Sequence, residues 1–111
     1  MKTNIRVIDL AKYKAKDSKF IIGRENGANA MVKEDLKNFV KKVENKEIDY
    51  IKIEVSKEIY GIVSSFLLGF FADIVADLKS KERFYEVFNL SDLQPEIKKQ
   101  IDEEIDFILG E

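Results

Sequence analysis

The longest run without a charged residue is the fourteen-residue segment from Ile59 to Ala72. A bilayer crossing needs ~20 apolar residues, so a run of this length reads as a buried helix instead. Gly61, Ser64, Ser65 and Gly69 interrupt it and Asp73 ends it. Leu67, Phe71, Ile74 and Leu78 share one helical face, with Phe66, Leu68, Phe70 and Val75 around them. A helix that is apolar nearly all round is buried on more than one side or meets a partner. Whatever this chain folds into must therefore wrap layers around residues 64–78. With 111 residues, a single domain spanning 1–111 is long enough to do so without staples.

The rest of the chain supplies those layers. Ile51, Ile53 and Val55 alternate with Lys52 and Glu54, which predicts a strand with one apolar face. Asn4–Leu10 and Phe20–Ile22 predict two more strands, joined by a polar Lys-rich loop as a loose hairpin. Asn26-Gly27 predicts a turn. Val32, Leu36, Phe39, Val40 and Val43 mark one face of a helix, with Lys33, Glu34, Lys37, Lys41 and Lys42 on its other faces. Residues 84–90 predict a buried strand. Ser91 and Gln94 have capping-box spacing before Pro95. Ile97, Ile101, Ile105 and Ile108 then give the apolar face of a last helix. The order is β-β-α-β-α-β-α, an α/β chain with a small, mainly parallel sheet.

Composition excludes more chemistry than it suggests. There is no Cys and no His. Thiolate nucleophiles, disulfides, imidazole bases and the common zinc sites are absent with them. Nineteen basic and 21 acidic residues leave a net charge of −2, without the basic face that nucleic acid wants. The first residues carry no apolar signal segment. The expectation is a cytoplasmic protein with no membrane or nucleic-acid partner, no cofactor and no metal site. Asp73 and Asp77 read as the wet edge of their helix, and Asp102, Glu103, Glu104 and Asp106 as a solvated helix face.

Two places have functional readings. Ser64 and Ser65 precede the apolar helix. As N-caps they satisfy orphan amides. As exposed hydroxyls at the positive end of a helix dipole they also suit a phosphate, which would add about −2 charge beside free N–H donors. Arg24, in the Arg24-Glu25-Asn26-Gly27 turn, is either half of a solvated ion pair or a bidentate donor to a carboxylate or phosphate. No catalytic constellation emerges. An enzyme built on Ser65 would have only Lys57, Glu58 and Tyr60 nearby.

A family resemblance lies in three short motifs: Phe20-Ile21-Ile22-Gly23-Arg24-Glu25-Asn26-Gly27, Val63-Ser64-Ser65-Phe66 and Asn89-Leu90-Ser91. With the strand at 50–55 before the serine pair, they resemble STAS domains, the fold of bacterial anti-sigma-factor antagonists. The closer likeness is to a STAS-like family of unknown function found in bacteria and their mobile elements. The resemblance runs from about Phe20 to Ile105. It implies a non-enzymatic regulator whose serine at this helix start is phosphorylated by a partner kinase of the histidine-kinase-like ATPase fold, releasing that partner. By position Ser65 is the acceptor and Ser64 its neighbour. Arg24, Asn26, Val63 and Phe66 become the partner-binding candidates, with Val63 and Phe66 standing where the antagonists carry Asp and Gly. The alternative is a mobile-element protein that inhibits a host enzyme by direct binding. A homodimer through the Phe-rich helix is compatible with either.

Overall fold

The computed structural model describes residues 4–110. Strand β1 (Ile5–Asp9) runs into one 3-10 turn (Leu10–Tyr13), started by the Asp9 carboxylate accepting the Ala11 N–H at 2.9 Å. There follow β2 (Phe20–Ile21), α1 (Arg24–Lys33), α2 (Leu36–Glu44), β3 (Tyr50–Glu54), β4 (Gly61–Ile62), α3 (Ser64–Leu78), α4 (Lys81–Val87), β5 (Phe88–Asn89) and α5 (Pro95–Leu109). The chain is α/β, with five helices among the described residues. One sheet has the order β1-β3-β5 and a separate pair joins β2 to β4; every pairing is parallel.

The sheet is packed on one face. Ile8, Ile51, Ile53 and Phe88 point inward and are fully buried. Opposite them, Ile5, Val7 and Asp9 are exposed, and Tyr50, Lys52 and Glu54 are half-buried. The strict alternation of β3 produces this division, since successive side chains leave opposite faces. Behind the inner face lies α3, whose phenylalanines make the centre of the core. Phe71 meets Phe70, Phe84 and Phe88 edge-on, with ring centroids 4.8, 5.3 and 5.4 Å away.

Four sequence expectations need correction. First, β1 and β2 form no hairpin: β1 pairs with β3 and β2 with β4. Second, Asn26-Gly27 is not a turn but lies inside α1. Gly27 is there because a helix passes against it. A Cβ at Gly27 would sit 2.1 Å from the Phe66 carbonyl oxygen, and one at Gly69 2.1 Å from that of Arg24. The two glycines let α1 and α3 touch backbone to backbone.

Third, the predicted helix around residues 32–43 is two helices. Asp35 takes a left-handed conformation (φ 54°) and turns the chain. Leu36 and Val40 then enter the core, while Val32 is left 72% exposed. Glu34, expected on a solvated face, is buried at this corner. Its carboxylate receives Arg6 at 3.0 Å, Lys12 at 2.6 Å and the Tyr13 hydroxyl. Burial works against its charge, but the bonds from Lys12 and Tyr13 and the charges of Lys12 and Arg6 outweigh it. The carboxyl is held below its ordinary range. Burial, then the bond to Glu34, pushes the Tyr13 hydroxyl up.

Fourth, residues 84–90 are mostly helical: α4 takes Lys81–Val87 and only Phe88–Asn89 is strand. Phe84, Val87 and Phe88 stand at i, i+3 and i+4, which satisfies a helix as well as a buried run. The missed signal is Ser80, whose hydroxyl caps α4 by accepting the Arg83 N–H at 3.1 Å. Ser91 caps no helix; its N–H and hydroxyl both go to the Asn89 side chain, and Gln94 precedes Pro95 at the start of α5. The observed order is therefore β-β-α-α-β-β-α-α-β-α.

Candidate functional site

The β2–β4 pair sets the site. Its inward residues, Ile21 and Ile62, are buried at 0% and 2% exposure. The alternation sends Phe20, Ile22 and Val63 outward, and Tyr60 adds its ring edge-on to Phe20 at 6.2 Å. All four are exposed. Among the described residues there are nine exposed large hydrophobics, and these four lie together. They surround the points where the chain leaves β2 for α1 and β4 for α3.

Those two helix starts are tied to each other. The Gly23 N–H donates to Ser65 Oγ at 3.3 Å, and the Val63 N–H to the Ile21 carbonyl at 2.8 Å. Asn26 fixes the approach: its side-chain amide donates to the carbonyls of Tyr13 at 2.8 Å and Ile22 at 3.1 Å. Neither serine caps its own helix. Val63 holds the N-cap position of α3 without a side-chain bond, and Ser64 opens the first turn.

The expected site residues thus separate. Ser64, Val63 and Arg24 are exposed, and Ser65 is half-buried and bonded to Gly23. Arg24 makes no ion pair among the described residues and stands at the start of α1. Asn26 is an internal staple. Phe66 is fully buried, stacked on Phe70 at 5.8 Å, so it belongs to the core and offers no side-chain surface to a partner. Lys57, Glu58 and Tyr60 make no hydrogen bond to Ser65, whose hydroxyl oxygen is met by the Gly23 amide.

Beside the serines runs a groove of about 560 Å³ between α3 and α5. Ile62, Ser64, Ser65, Leu67 and Leu68 form one wall and Gln100, Glu103, Glu104 and Phe107 the other. Gln100 also closes the outer edge of β4 by accepting the Ile62 N–H at 3.0 Å. The acidic stretch of α5, expected to be one solvated face, is divided between two jobs. Asp102 and Asp106 hold Lys81 of α4 at 2.8 and 2.9 Å, with Tyr85 donating to Asp102 at 2.7 Å. Glu103 and Glu104 face the groove. Gln100, Glu103, Glu104 and Phe107 fall at i, i+3, i+4 and i+7, a second stripe on α5 that periodicity alone makes visible.

Among the described residues no group of three acidic side chains is arranged to hold a metal ion, and no helix is long and apolar enough to cross a membrane. Comparison of the chain with known protein families, curated proteins and solved structures returns no match.

Proposed function

We propose that this chain is a non-catalytic regulatory module that binds a protein partner through the start of α3 and the residues around it. The observation that carries this reading is the exposed apolar patch of Phe20, Ile22, Tyr60 and Val63 on the β2–β4 pair, which ends at Val63 directly before Ser64. Water-exposed apolar side chains are ordinary when scattered; clustered at one helix start and rimmed by polar groups, they suit an interface. Arg24 at the patch edge supplies a donor for a partner's carboxylate or phosphate. The STAS resemblance suggests a partner of the histidine-kinase-like ATPase fold.

Phosphorylation would act here through charge. Ser64 is the more accessible hydroxyl, since Ser65 is half-buried and bonded to Gly23. A phosphate on Ser64 would place about −2 charge directly beside Val63 at the edge of an apolar contact, which disrupts by desolvation. The carboxylates of Glu103 and Glu104 across the groove add repulsion. The modified form is therefore the released one.

The test is capture of the tagged protein from its native host, with the retained partner identified by mass spectrometry and its affinity then measured for variants. Ile22→Asp and Val63→Asp each place a charge in the patch without touching the core, and each is expected to weaken binding at least ~100-fold, as for a central interface residue. Ser64→Asp is expected to weaken it and Ser64→Ala to leave it intact. A partner held equally by wild type, Ile22→Asp and Val63→Asp docks elsewhere and overturns the reading.

A further inference from the structure

Glu104 is the buried carboxylate of the groove, and the fold gives it no partner among the described residues. It is 8% exposed, faces the space between α3 and α5, and makes no hydrogen bond or ion pair among the described residues. A carboxyl on a side chain packed this deeply loses part of its hydration without gaining a partner, even though its oxygens still open onto the groove. Glu34, the other buried acid, shows the usual solution, with Arg6, Lys12 and Tyr13 all meeting it. Glu104 has no such neighbour. Burial alone raises its carboxyl above the ordinary range.

The surroundings specify what would complete it. Glu103 adds a second carboxylate on the same wall, and no Lys or Arg lines the groove. Ile62, Leu67, Leu68 and Phe107 supply apolar contact, with Phe107 left 68% exposed at the rim. Gln100, Ser64 and Ser65 add neutral polar groups. The volume falls within the ~300–1,000 Å³ range of ligand pockets. The positive end of α3 lies on the serine side, so a cation is favoured on the α5 wall and not opposite it.

We propose that the α3–α5 groove is a binding site for an ammonium or guanidinium group carried on an apolar stem, with the cation seated against Glu104 and Glu103 and the stem along Leu67, Leu68 and Phe107. The cation comes from a small alkylamine or from a Lys or Arg side chain of a partner protein. This site stands whether or not the patch around Ile22 and Val63 meets a partner, since Phe20, Ile22, Tyr60 and Val63 do not line the groove.

The experiment is a heteronuclear NMR titration of the whole chain with 4-phenylbutylamine and, separately, 4-phenylbutanol, which keeps the stem and removes the charge. The amine is expected to shift Ser64, Leu68, Gln100 and Phe107 saturably. The alcohol should bind at least ~10-fold more weakly, the worth of one charge-assisted hydrogen bond. Glu104→Gln should erase most of that preference, while Val32→Ala, exposed on α1 and outside the groove, should not. The peptide acetyl-Phe-Lys-Leu-amide separates the sources: tighter binding than the amine assigns the site to a partner's basic side chain, weaker binding to a small ligand. Equal affinity for amine and alcohol on the wild-type protein overturns the proposal, as does absence of groove shifts at millimolar amine. That comparison needs no variant, so poor folding of Glu104→Gln leaves it decisive. Failure here with Ile22→Asp still losing its partner separates this site from the docking patch.

Discussion

Replacing Gly27 with Ala sets two effects of known sign against each other. In a helix interior Ala is favoured over Gly by about 1 kcal/mol. Against that, the new methyl would sit 2.1 Å from the Phe66 carbonyl oxygen, 2.9 Å from the Phe70 nitrogen and 3.0 Å from the Phe66 carbonyl carbon. Carbon and a carbonyl oxygen approach to about 3.3 Å at closest, so α1 and α3 must part by roughly 1.2 Å. The obstacle is backbone, so no rotamer change relieves it. A gap of ~0.5–1 Å already forfeits a quarter to a half of the dispersion attraction across an interface. Overpacking costs ~1–3 kcal/mol, and a rigid obstacle places this case near the upper end. Net of the helix preference, Gly27→Ala should destabilise by about 2 kcal/mol, which lowers the melting temperature by roughly 8 °C for a domain of this size.

Urea unfolding followed by circular dichroism measures the change directly, with an unchanged slope showing that the same surface is exposed. Asn29→Ala is the control. Asn29 is exposed on the same helix, so there the propensity term acts alone and should stabilise by about 0.5 kcal/mol. Gly69→Ala meets the Arg24 carbonyl oxygen at the same 2.1 Å. One separation of the helices relieves both clashes, so the double variant should cost clearly less than the sum of the singles. If Gly27→Ala stabilises as Asn29→Ala does, or the two glycine variants add fully, the backbone contact between α1 and α3 does not exist.

Three further outcomes follow from buried groups. Glu34→Gln should cost roughly 1–3 kcal/mol at neutral pH, a figure discounted for the partial exposure of Arg6 and Lys12. Because the folded Glu34 carboxyl lies below its ordinary 4.5, its contribution is present above that value and disappears as pH falls through the folded one. The difference between wild type and Glu34→Gln, followed by thermal melts from neutral to acid pH, should therefore close in acid. Glu104→Gln should show the opposite sign. Its raised carboxyl penalises the folded state once ionised, so the variant should be more stable near pH 7 and equal to wild type well below 4.5 in the same melts. Phe71→Ala removes the ring at the centre of the aromatic cluster and should cost about 3–5 kcal/mol in urea titration; a loss under 1 kcal/mol would mean the cluster is loosely packed.

Elements whose period decides burial were legible in the sequence. β3 alternates, α3 is apolar nearly all round, and α5 repeats Ile97, Ile101 and Ile105 on one face; all three stand where the pattern placed them. What failed were positions decided by distant partners. Gly27 reads as a turn because Asn-Gly is a strong local signal, yet its conformation is set by a helix 42 residues further on at Gly69. Glu34 sits near the start of a helix-like pattern, and nothing near it announces that Arg6 and Lys12 will meet it. Pairing partners follow the same rule: β1 skips its sequence neighbour for β3 because parallel strands need a crossover. Of the candidate site, Ser64 was legible as a hydroxyl at the start of α3, whereas Arg24 reads as part of a turn and instead opens α1. Ile22 and Tyr60 were not legible, because a two-residue strand carries too little alternation to show which side faces water.

The same backbone contact also bears on recognition. Seven residues of α3 are buried, including Phe66 directly after the serine pair, and Gly27 and Gly69 fix the helix against α1. Ser64 therefore cannot shift along or around its helix axis without opening the core. The surface around it is preorganised, so binding there would lose little conformational freedom in the backbone. A charge added to Ser64 is then expected to act by changing what the surface can hold, because the buried side chains of α3 and the close approach at Gly27 and Gly69 resist a shift of the helix. The prediction that distinguishes this from an internal switch is structural. Ser64→Asp should leave the amide NMR spectrum of α1, β3 and α5 unchanged beyond the immediate neighbours of residue 64, while still weakening the partner. Widespread shifts across those elements would show that α3 moves after all.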